Sequence, residues 1–136
     1  MKSSKDVNPN EKGKSNPVRV TLYQLEQSDM FIMSDYFSLQ NTDDVELASS
    51  IDKSESYILA PGEIKEITLK IKDGMSAIGV VTAYRDIANA QWRVIYMIPN
   101  HPRERWYEKL WLTQKEWQPK AIVHMKHLAT SIEKVE

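Results

Sequence analysis

The segment at residues 77–85, AIGVVTAYR, constrains the fold of this chain more than any other. Alternate residues of a β-strand share a face, so one face carries Ile78, Val80 and Tyr84, and the other carries Ala77, Gly79, Val81 and Ala83. Neither face bears a charge, which predicts a central strand that is covered on both sides. We expect two sheets to enclose residues 79–85, with a close approach of the neighbouring layer at Gly79.

The two-residue period of a strand recurs along the chain and predicts about seven strands in total. The first strand starts at Val18, and its apolar residues change parity at Tyr23 and Leu25, which predicts that the strand ends or twists there. Another strand is expected at residues 66–71, which alternate apolar and polar side chains. The last two strands are expected to be separated by a tight turn or bulge at residues 126–127.

Residues 34–51 show helical spacing instead of the two-residue period. Ser34 is a suitable cap for one short helix, and Thr42 is a suitable cap for a second. About seven strands with one helical insertion predict an all-β, two-sheet β-sandwich rather than an alternating β-α-β array.

Composition supports a single domain over residues 1–136, with a polar N-terminal arm at residues 1–16. The net charge of -1 and the pI of about 6.3 do not favour nucleic acid as a partner. The arm lacks the apolar region of a secretory signal, and no apolar run is long enough to predict a membrane span. The sequence contains no cysteine, which excludes disulfides and thiol chemistry within it.

Sequence motifs for catalysis or cofactor binding are absent, so we predict that the protein is not an enzyme and uses no cofactor or small-molecule substrate. The histidines His101, His124 and His127 leave a metal site open as an alternative. His124 and His127 lie three residues apart, which would place them on opposite faces of one strand. We therefore predict no metal binding.

The tryptophan residues suggest one hypothesis for the function, which is ligand binding. Trp92 alternates with apolar residues and is expected to pack in the core. Trp106, Trp111 and Trp117 are either packing residues or an aromatic surface for a glycan or small molecule. This hypothesis is a ligand-binding β-sandwich that uses residues 106–117.

Polar residues flank the short turn that follows the central strand. The side chains of Arg85, Asp86 and Arg93 are expected to meet across this hairpin, where a cross-strand pair of opposite charges would contribute about 0.2–1 kcal/mol. We predict that these three residues, together with Gly79, Tyr84 and Trp92, hold the shape of the protein.

The N-terminal arm permits two interpretations. Its content of Ser, Asn, Lys, Gly and Pro is typical of a disordered segment. The sequence DVNPNEKGKSNP, at residues 6–17, also places Asn-Pro, Gly and Pro at turn positions and leaves Asn and Lys exposed. That arrangement is typical of a folded recognition loop.

Several motifs occur in order along residues 6–99. They are DVNP at 6–9, PVRVTLYQL at 17–25, SDYF at 34–37, PGE at 61–63, GVVTAYRD at 79–86 and QWR at 91–93. With these motifs the chain resembles the TssJ family, also called SciN or VasD, of the bacterial type VI secretion system. The last third of the chain resembles the family only loosely.

The resemblance implies a transthyretin-like β-sandwich with a small helical insertion and no enzymatic activity. Members of the family are lipoproteins at the periplasmic face of the outer membrane, where they bind the periplasmic C-terminal region of the inner-membrane protein TssM. We therefore expect a non-enzymatic structural subunit of the type VI secretion membrane complex.

The resemblance is incomplete at the start of the sequence. The family's lipid-bearing N-terminal cysteine is missing, and its first strand is reduced to KSSK at residues 2–5. We therefore expect a soluble, truncated form of a protein that an acylated cysteine attaches to outer-membrane lipid. The resemblance also implies that the polar arm is the loop associated with the TssM contact, and it suggests Asn8, Pro9, Asn10 and Lys12 as contact residues.

Overall fold

A computed structural model describes residues 1–40, 51–71, 74–98 and 120–135. These residues form two sheets, with two short helices beside one of them. The strands are β1 (Lys2–Ser3), β2 (Val18–Leu25), β3 (Ile51–Leu59), β4 (Ala77–Ala83), β5 (Arg93–Met97), β6 (Lys120–Met125) and β7 (Thr130–Val135). The helices are α1 (Asp29–Met33) and α2 (Tyr36–Gln40), and a single 3-10 turn covers Ile87–Asn89. The predicted mostly-β architecture with two sheets is confirmed.

Strand order places β4 inside the larger sheet. That sheet has the order β3-β2-β4-β5, and all its neighbours are antiparallel. The smaller sheet has the order β1-β6-β7, in which β1 runs parallel to β6. The prediction that β4 is a central strand is therefore confirmed.

The first hydrophobic core lies between the two sheets. It contains residues of β2, β3, β4, β5 and β6, the residue after β4 and one residue of the N-terminal arm. Each of them is at most 8% exposed: Val7, Val18, Val20, Leu22, Leu59, Ile78, Val80, Tyr84, Tyr96, Val123 and Met125. Burial of one such aliphatic side chain contributes about 1.5–3 kcal/mol. Because Val7 belongs to this core, the arm is part of the sandwich rather than an appendage.

The second core lies on the opposite face of the larger sheet, beneath the helices. It consists of Tyr23, Leu25, Phe31, Leu39, Ala77 and Val81. One face of β4 therefore packs against the smaller sheet and the other against α1 and α2. The expectation that two sheets enclose residues 79–85 is wrong in this respect, because the helical insertion supplies the second covering layer.

Three element boundaries differ from the sequence predictions. β2 continues through Leu25, with a register shift against β3 after Leu22, because its second face is buried under the helices. The short helix predicted after Ser34 corresponds to α2, whereas α1, which begins at Asp29, was not predicted, and Ile51 already belongs to β3. The second helix predicted at Thr42 lies outside the described residues.

Residues 65–71 alternate as predicted but are not paired in a sheet ladder. Ile67, Leu69 and Ile71 pack against the first core, and the residues between them are exposed. The segment is fixed by other contacts, which include a hydrogen bond from the Gln24 side chain to the carbonyl oxygen of Lys70 at 3.0 Å. The predicted burial pattern is therefore present, whereas the predicted strand is not.

Arg93 fixes the end of α1. Its Nη1 atom donates hydrogen bonds to the carbonyl oxygens of Phe31, at 2.7 Å, and of Ser34, at 2.6 Å. Its guanidinium lies 5.9 Å from the ring centroid of Phe31 and 4.6 Å from that of Trp92. Burial lowers the pKa of Arg93, but a guanidinium stays charged at neutral pH. Arg93 thus donates hydrogen bonds to carbonyl oxygens at the end of α1. A helix of this length is too short to be stable alone.

The substitution Arg93→Leu is expected to lower the free energy of unfolding by about 1–2 kcal/mol, because two charged hydrogen bonds are lost while apolar contact is kept. Urea denaturation measures this change. Arg85→Leu is the matched control: that side chain is 56% exposed, so its ion pair contributes at most about 1 kcal/mol. Equal effects of the two substitutions would contradict the role assigned to Arg93.

Candidate protein-binding site

Three segments meet at one end of the sandwich and form an open cleft. They are the N-terminal loop at residues 6–17, the β4–β5 turn and the β6–β7 turn. The cleft has a volume of about 460 Å³ and is lined by Pro9, Asn10, Glu11, Gly13, Arg85, Asp86, His127 and Leu128. We call it the loop-end cleft.

The tip of the N-terminal loop is a closed turn. The amide of Asn10 donates to the carbonyl oxygen of Lys14 at 2.8 Å, and the amide of Gly13 donates to the carbonyl oxygen of Asn10 at 2.9 Å. The Asn10 Oδ1 atom accepts two further bonds, from the amides of Lys12 and Lys14, each at 2.9 Å. Gly13 supplies the left-handed conformation, with φ of 78°. These residues form a folded loop, and the disordered alternative does not describe them.

The four predicted contact residues separate into two groups. Pro9 and Asn10 line the loop-end cleft, and Lys12 is exposed at the tip of the loop. Asn8 is only 6% exposed, and its side chain bonds within the protein. Asn8 as a contact residue stays a prediction, although its side-chain amide is already used inside the fold.

Charged side chains of both signs surround the cleft. Arg85 Nη2 lies 3.4 Å from Glu11 Oε1, and these side chains are 56% and 89% exposed. Solvent screens such a pair strongly, so a partner could replace it at little cost. His127 Nδ1 lies 3.0 Å from the carbonyl oxygen of Asp6, and Asn89 donates to both carboxylate oxygens of Asp86 at 3.0 Å.

The frame behind the cleft joins the two sheets through polar contacts. The buried Tyr84 hydroxyl lies 2.7 Å from the carbonyl oxygen of Ala129 and 3.0 Å from that of Lys126. The Thr130 hydroxyl donates to the Thr82 hydroxyl at 2.8 Å, and both residues are buried. Burial raises the pKa of Tyr84, so its hydroxyl stays protonated and can donate.

Tyr84→Phe is expected to lower the free energy of unfolding by about 1 kcal/mol, because the buried hydroxyl and its hydrogen bonds to the carbonyl oxygens of Ala129 and Lys126 are lost. The substitution should also reduce the loss of stability at alkaline pH. The folded-state pKa lies above the ordinary value of 10.0, so this residue's contribution is complete below pH 10.0 and is lost as the pH rises toward the folded pKa. Urea denaturation at pH 7 and above pH 10.0 tests both effects.

Tyr57→Phe is the matched control, because Tyr57 is only partly buried and contacts Lys65 through its ring. It is expected to change the free energy of unfolding by less than about 0.5 kcal/mol. A Tyr84→Phe protein as stable as this control would contradict the assigned hydrogen bonds.

Arg85, Asp86 and Arg93 do not act together as the sequence analysis expected. Arg85 contacts Glu11, Asp86 contacts Asn89, and Arg93 binds the end of α1. The predicted meeting of these side chains across the hairpin is wrong, because their partners lie in the N-terminal loop, in the turn itself and in the helical insertion, respectively. Trp92 packs against both cores, as predicted, with its ring centroid 5.4 Å from that of Tyr36.

The metal and aromatic alternatives rest partly on residues outside the described ranges, namely His101, Trp106, Trp111 and Trp117. Among the described residues, His124 lies 3.0 Å from Glu133, and no group of three or more potential ligands is positioned to hold a metal ion. None of the helices in the described part of the chain is long and apolar enough to cross a membrane.

A scan against protein families matched residues 1–124 to the T6SS-SciN family, described as the type VI secretion lipoprotein VasD, EvfM or TssJ. This match covers most of the chain. The chain belongs to the T6SS-SciN family. No curated protein sequence gave a significant match.

Solved structures agree with the T6SS-SciN fold. The type VI lipoprotein TssJ1 from Pseudomonas aeruginosa has a TM-score of 0.81 and 23% identity, covering 99% of this chain and 92% of that one. Serratia marcescens Lip, a membrane-bound component of the type VI secretion system, has a TM-score of 0.81 and 22% identity, with 99% and 93% covered. A chain of a type VI membrane complex has a TM-score of 0.76 and 19% identity, with 97% and 92% covered.

Part of the cleft in this T6SS-SciN protein could not be identified from sequence. Glu11 belongs to the predicted loop, but His127 and Leu128 were not predicted as site residues, and Arg85 was assigned a structural role. The loop and the two turns are distant in sequence and meet only because the sheets place their ends together. For His127 and Leu128, the sequence offered only the predicted turn at residues 126–127. That turn indicates a connection between strands but not which segments lie next to it in the fold.

Proposed function

We propose that this T6SS-SciN protein is a non-enzymatic structural subunit of the type VI secretion membrane complex. In this proposal, the loop-end cleft binds the periplasmic C-terminal region of TssM. The observation that carries the proposal is the folded N-terminal loop, which borders two turns and leaves an open cleft lined by exposed and partly exposed residues. Such a surface fits a protein partner better than a buried reactant.

The rigidity of the cleft supports binding. Its walls are fixed by the hydrogen bonds inside the loop tip and by Tyr84, Thr82 and Thr130 behind the turns. A surface that is already ordered loses little conformational entropy on association, so more of the contact energy remains as affinity. Exposed ion-pair partners such as Arg85 and Glu11 can exchange with charges of the partner.

The proposal assigns no catalytic chemistry to the cleft. Arg85 and Asp86 are exposed, and His127 is 55% exposed, in contact with a backbone oxygen. A reacting group is usually activated by burial or by a partner held in a dry pocket. The family description, a type VI secretion lipoprotein, names no catalytic activity.

Attachment to the outer membrane would come from lipid rather than from the sandwich. In this proposal, an acylated cysteine outside the present sequence anchors the protein at the periplasmic face. One acyl chain gives only marginal attachment, and several give stable attachment. Lipid would then determine location, and the loop-end cleft would determine the partner.

The direct test is binding of a purified periplasmic TssM fragment to this protein and to a variant in which residues 10–13 are replaced by Ser-Gly-Ser-Gly, which keeps glycine at position 13. The variant should bind at least about tenfold more weakly, since a few central residues dominate most interfaces. The double variant Glu133→Ser, Lys134→Ser is the matched control: it also removes one acid and one base, from exposed positions on β7. An unchanged affinity of the loop variant, with the fold intact, would remove the cleft from the mechanism.

A further inference from the structure

Asn8 has an unusual backbone conformation for its residue type. Its φ is 50°, and within the described residues it is the one position other than glycine with a positive φ. Asparagine tolerates this left-handed conformation better than most residues with a side chain. This conformation occurs directly before Pro9 and Asn10, which line the cleft.

The side chain of Asn8 links the loop to the β4–β5 turn. Its Oδ1 atom accepts a hydrogen bond from the Arg85 amide at 2.7 Å, and its Nδ2 atom donates to the carbonyl oxygen of Pro17 at 3.0 Å. Both ends of the amide are therefore used. Since Asn8 is 6% exposed, water cannot easily replace these partners.

The backbone of Asn8 links the loop to the β6–β7 turn. Its amide donates to the carbonyl oxygen of His127 at 3.1 Å, and its own carbonyl oxygen accepts from the Asn16 side chain at 3.3 Å. One residue thus contacts both ends of the loop and both turns. These are the same three segments that form the loop-end cleft.

We propose that Asn8 is a positioning residue that holds the loop and the two turns in the one arrangement able to receive a protein partner. The identity of the partner rests on the proposed function. The role of Asn8 in holding the loop does not depend on it. Asn8 acts through Pro9, Asn10 and Arg85, and it does not itself touch the partner. Without its side-chain bonds, the loop would populate the competent arrangement for only part of the time.

Two substitutions separate the side-chain bonds from the backbone conformation. Asn8→Gly removes both side-chain bonds but keeps the left-handed conformation accessible. Asn8→Ala removes the bonds and also disfavours that conformation. Asn89→Ala is the matched control, because it removes an exposed amide that bonds Asp86 within its own turn.

The first measurement is amide hydrogen exchange without any partner. In Asn8→Gly, the amides of Lys12, Gly13 and Lys14 should exchange at least about tenfold faster, while amides of β2 and β4 stay protected. Asn89→Ala should leave the loop amides unchanged. Loop exchange in Asn8→Gly equal to that of the unmodified protein would overturn the inference, whatever the partner is.

The second measurement is the kinetics of binding to the periplasmic TssM fragment. A smaller competent fraction weakens binding in proportion to that fraction, so Asn8→Gly should lower the association rate constant about tenfold and change the dissociation rate constant less than about twofold. A loss that appears only in dissociation would identify Asn8 as a contact residue and overturn the inference. If the unmodified protein does not bind the fragment, the proposed function fails, and the exchange measurement still decides the role of Asn8.

Discussion

Replacing Phe31 with alanine is expected to lower the free energy of unfolding by about 3–5 kcal/mol, the largest effect of any substitution considered for this protein. Phe31 is fully buried and is the main contact of α1 with the larger sheet. Its ring lies 5.8 Å from that of Tyr23, and its carbonyl oxygen receives a bond from Arg93. Removal of the ring leaves a cavity that two short helices cannot close.

Phe37→Ala is the control for this prediction. Phe37 lies on α2 and is 71% exposed, so its truncation should change the free energy of unfolding by less than about 0.5 kcal/mol. Urea or thermal unfolding of the two variants gives the comparison. A Phe31→Ala protein that is as stable as Phe37→Ala would show that the helical insertion does not form the second core.

The second large effect is expected at Gly79, where the substitution Gly79→Ala should cost about 1–3 kcal/mol through overpacking. A Cβ atom at this position would lie 2.6, 2.8 and 2.9 Å from three atoms of the Phe31 ring. The ring is buried and cannot move away without disturbing the contact between α1 and β4. In an ordinary strand position the same substitution would be neutral or stabilising, since glycine weakens strands.

A double-mutant cycle with Phe31→Leu tests the cause of this cost. Leucine lacks the ring atoms that would clash, so Gly79→Ala should become nearly neutral in the Phe31→Leu background. The two substitutions are in contact and should therefore be strongly non-additive. If Gly79→Ala costs the same in both backgrounds, the close approach of Phe31 is not the reason that glycine occupies this position.

The strand predictions were correct where the alternation of side chains alone determines which faces of the strand are buried. In β4, uncharged residues of both parities required two covered faces, and the structure has them. The sequence did not reveal what covers the second face, because helix α1 begins at Asp29 in a stretch without a clear period. Tyr23 and Leu25 carried the missing information: their change of parity marks a strand with a second buried face, not the end of a strand.

Only part of the candidate site was predicted, because local sequence patterns identify a loop but not its contacts with distant residues. Turn residues and the family resemblance identified the loop, and the structure shows Pro9 and Asn10 at the cleft. The distinction between Asn8 and its neighbours depends on contacts with Arg85 and His127, which are remote in sequence. Such long-range partners cannot be derived from composition or spacing. The sequence alone therefore does not distinguish a buried positioning residue from an exposed contact residue.

In the proposed function, a protein partner binds at the end of the sandwich formed by the loop and the two turns. NMR titration of the isotope-labelled protein with the periplasmic TssM fragment locates the binding surface residue by residue. We expect the largest amide shift changes at Asn10, Glu11, Gly13, Arg85 and His127. Changes concentrated at exposed Met33 and Phe37 or along β3, with the loop-end amides unaffected, would contradict it.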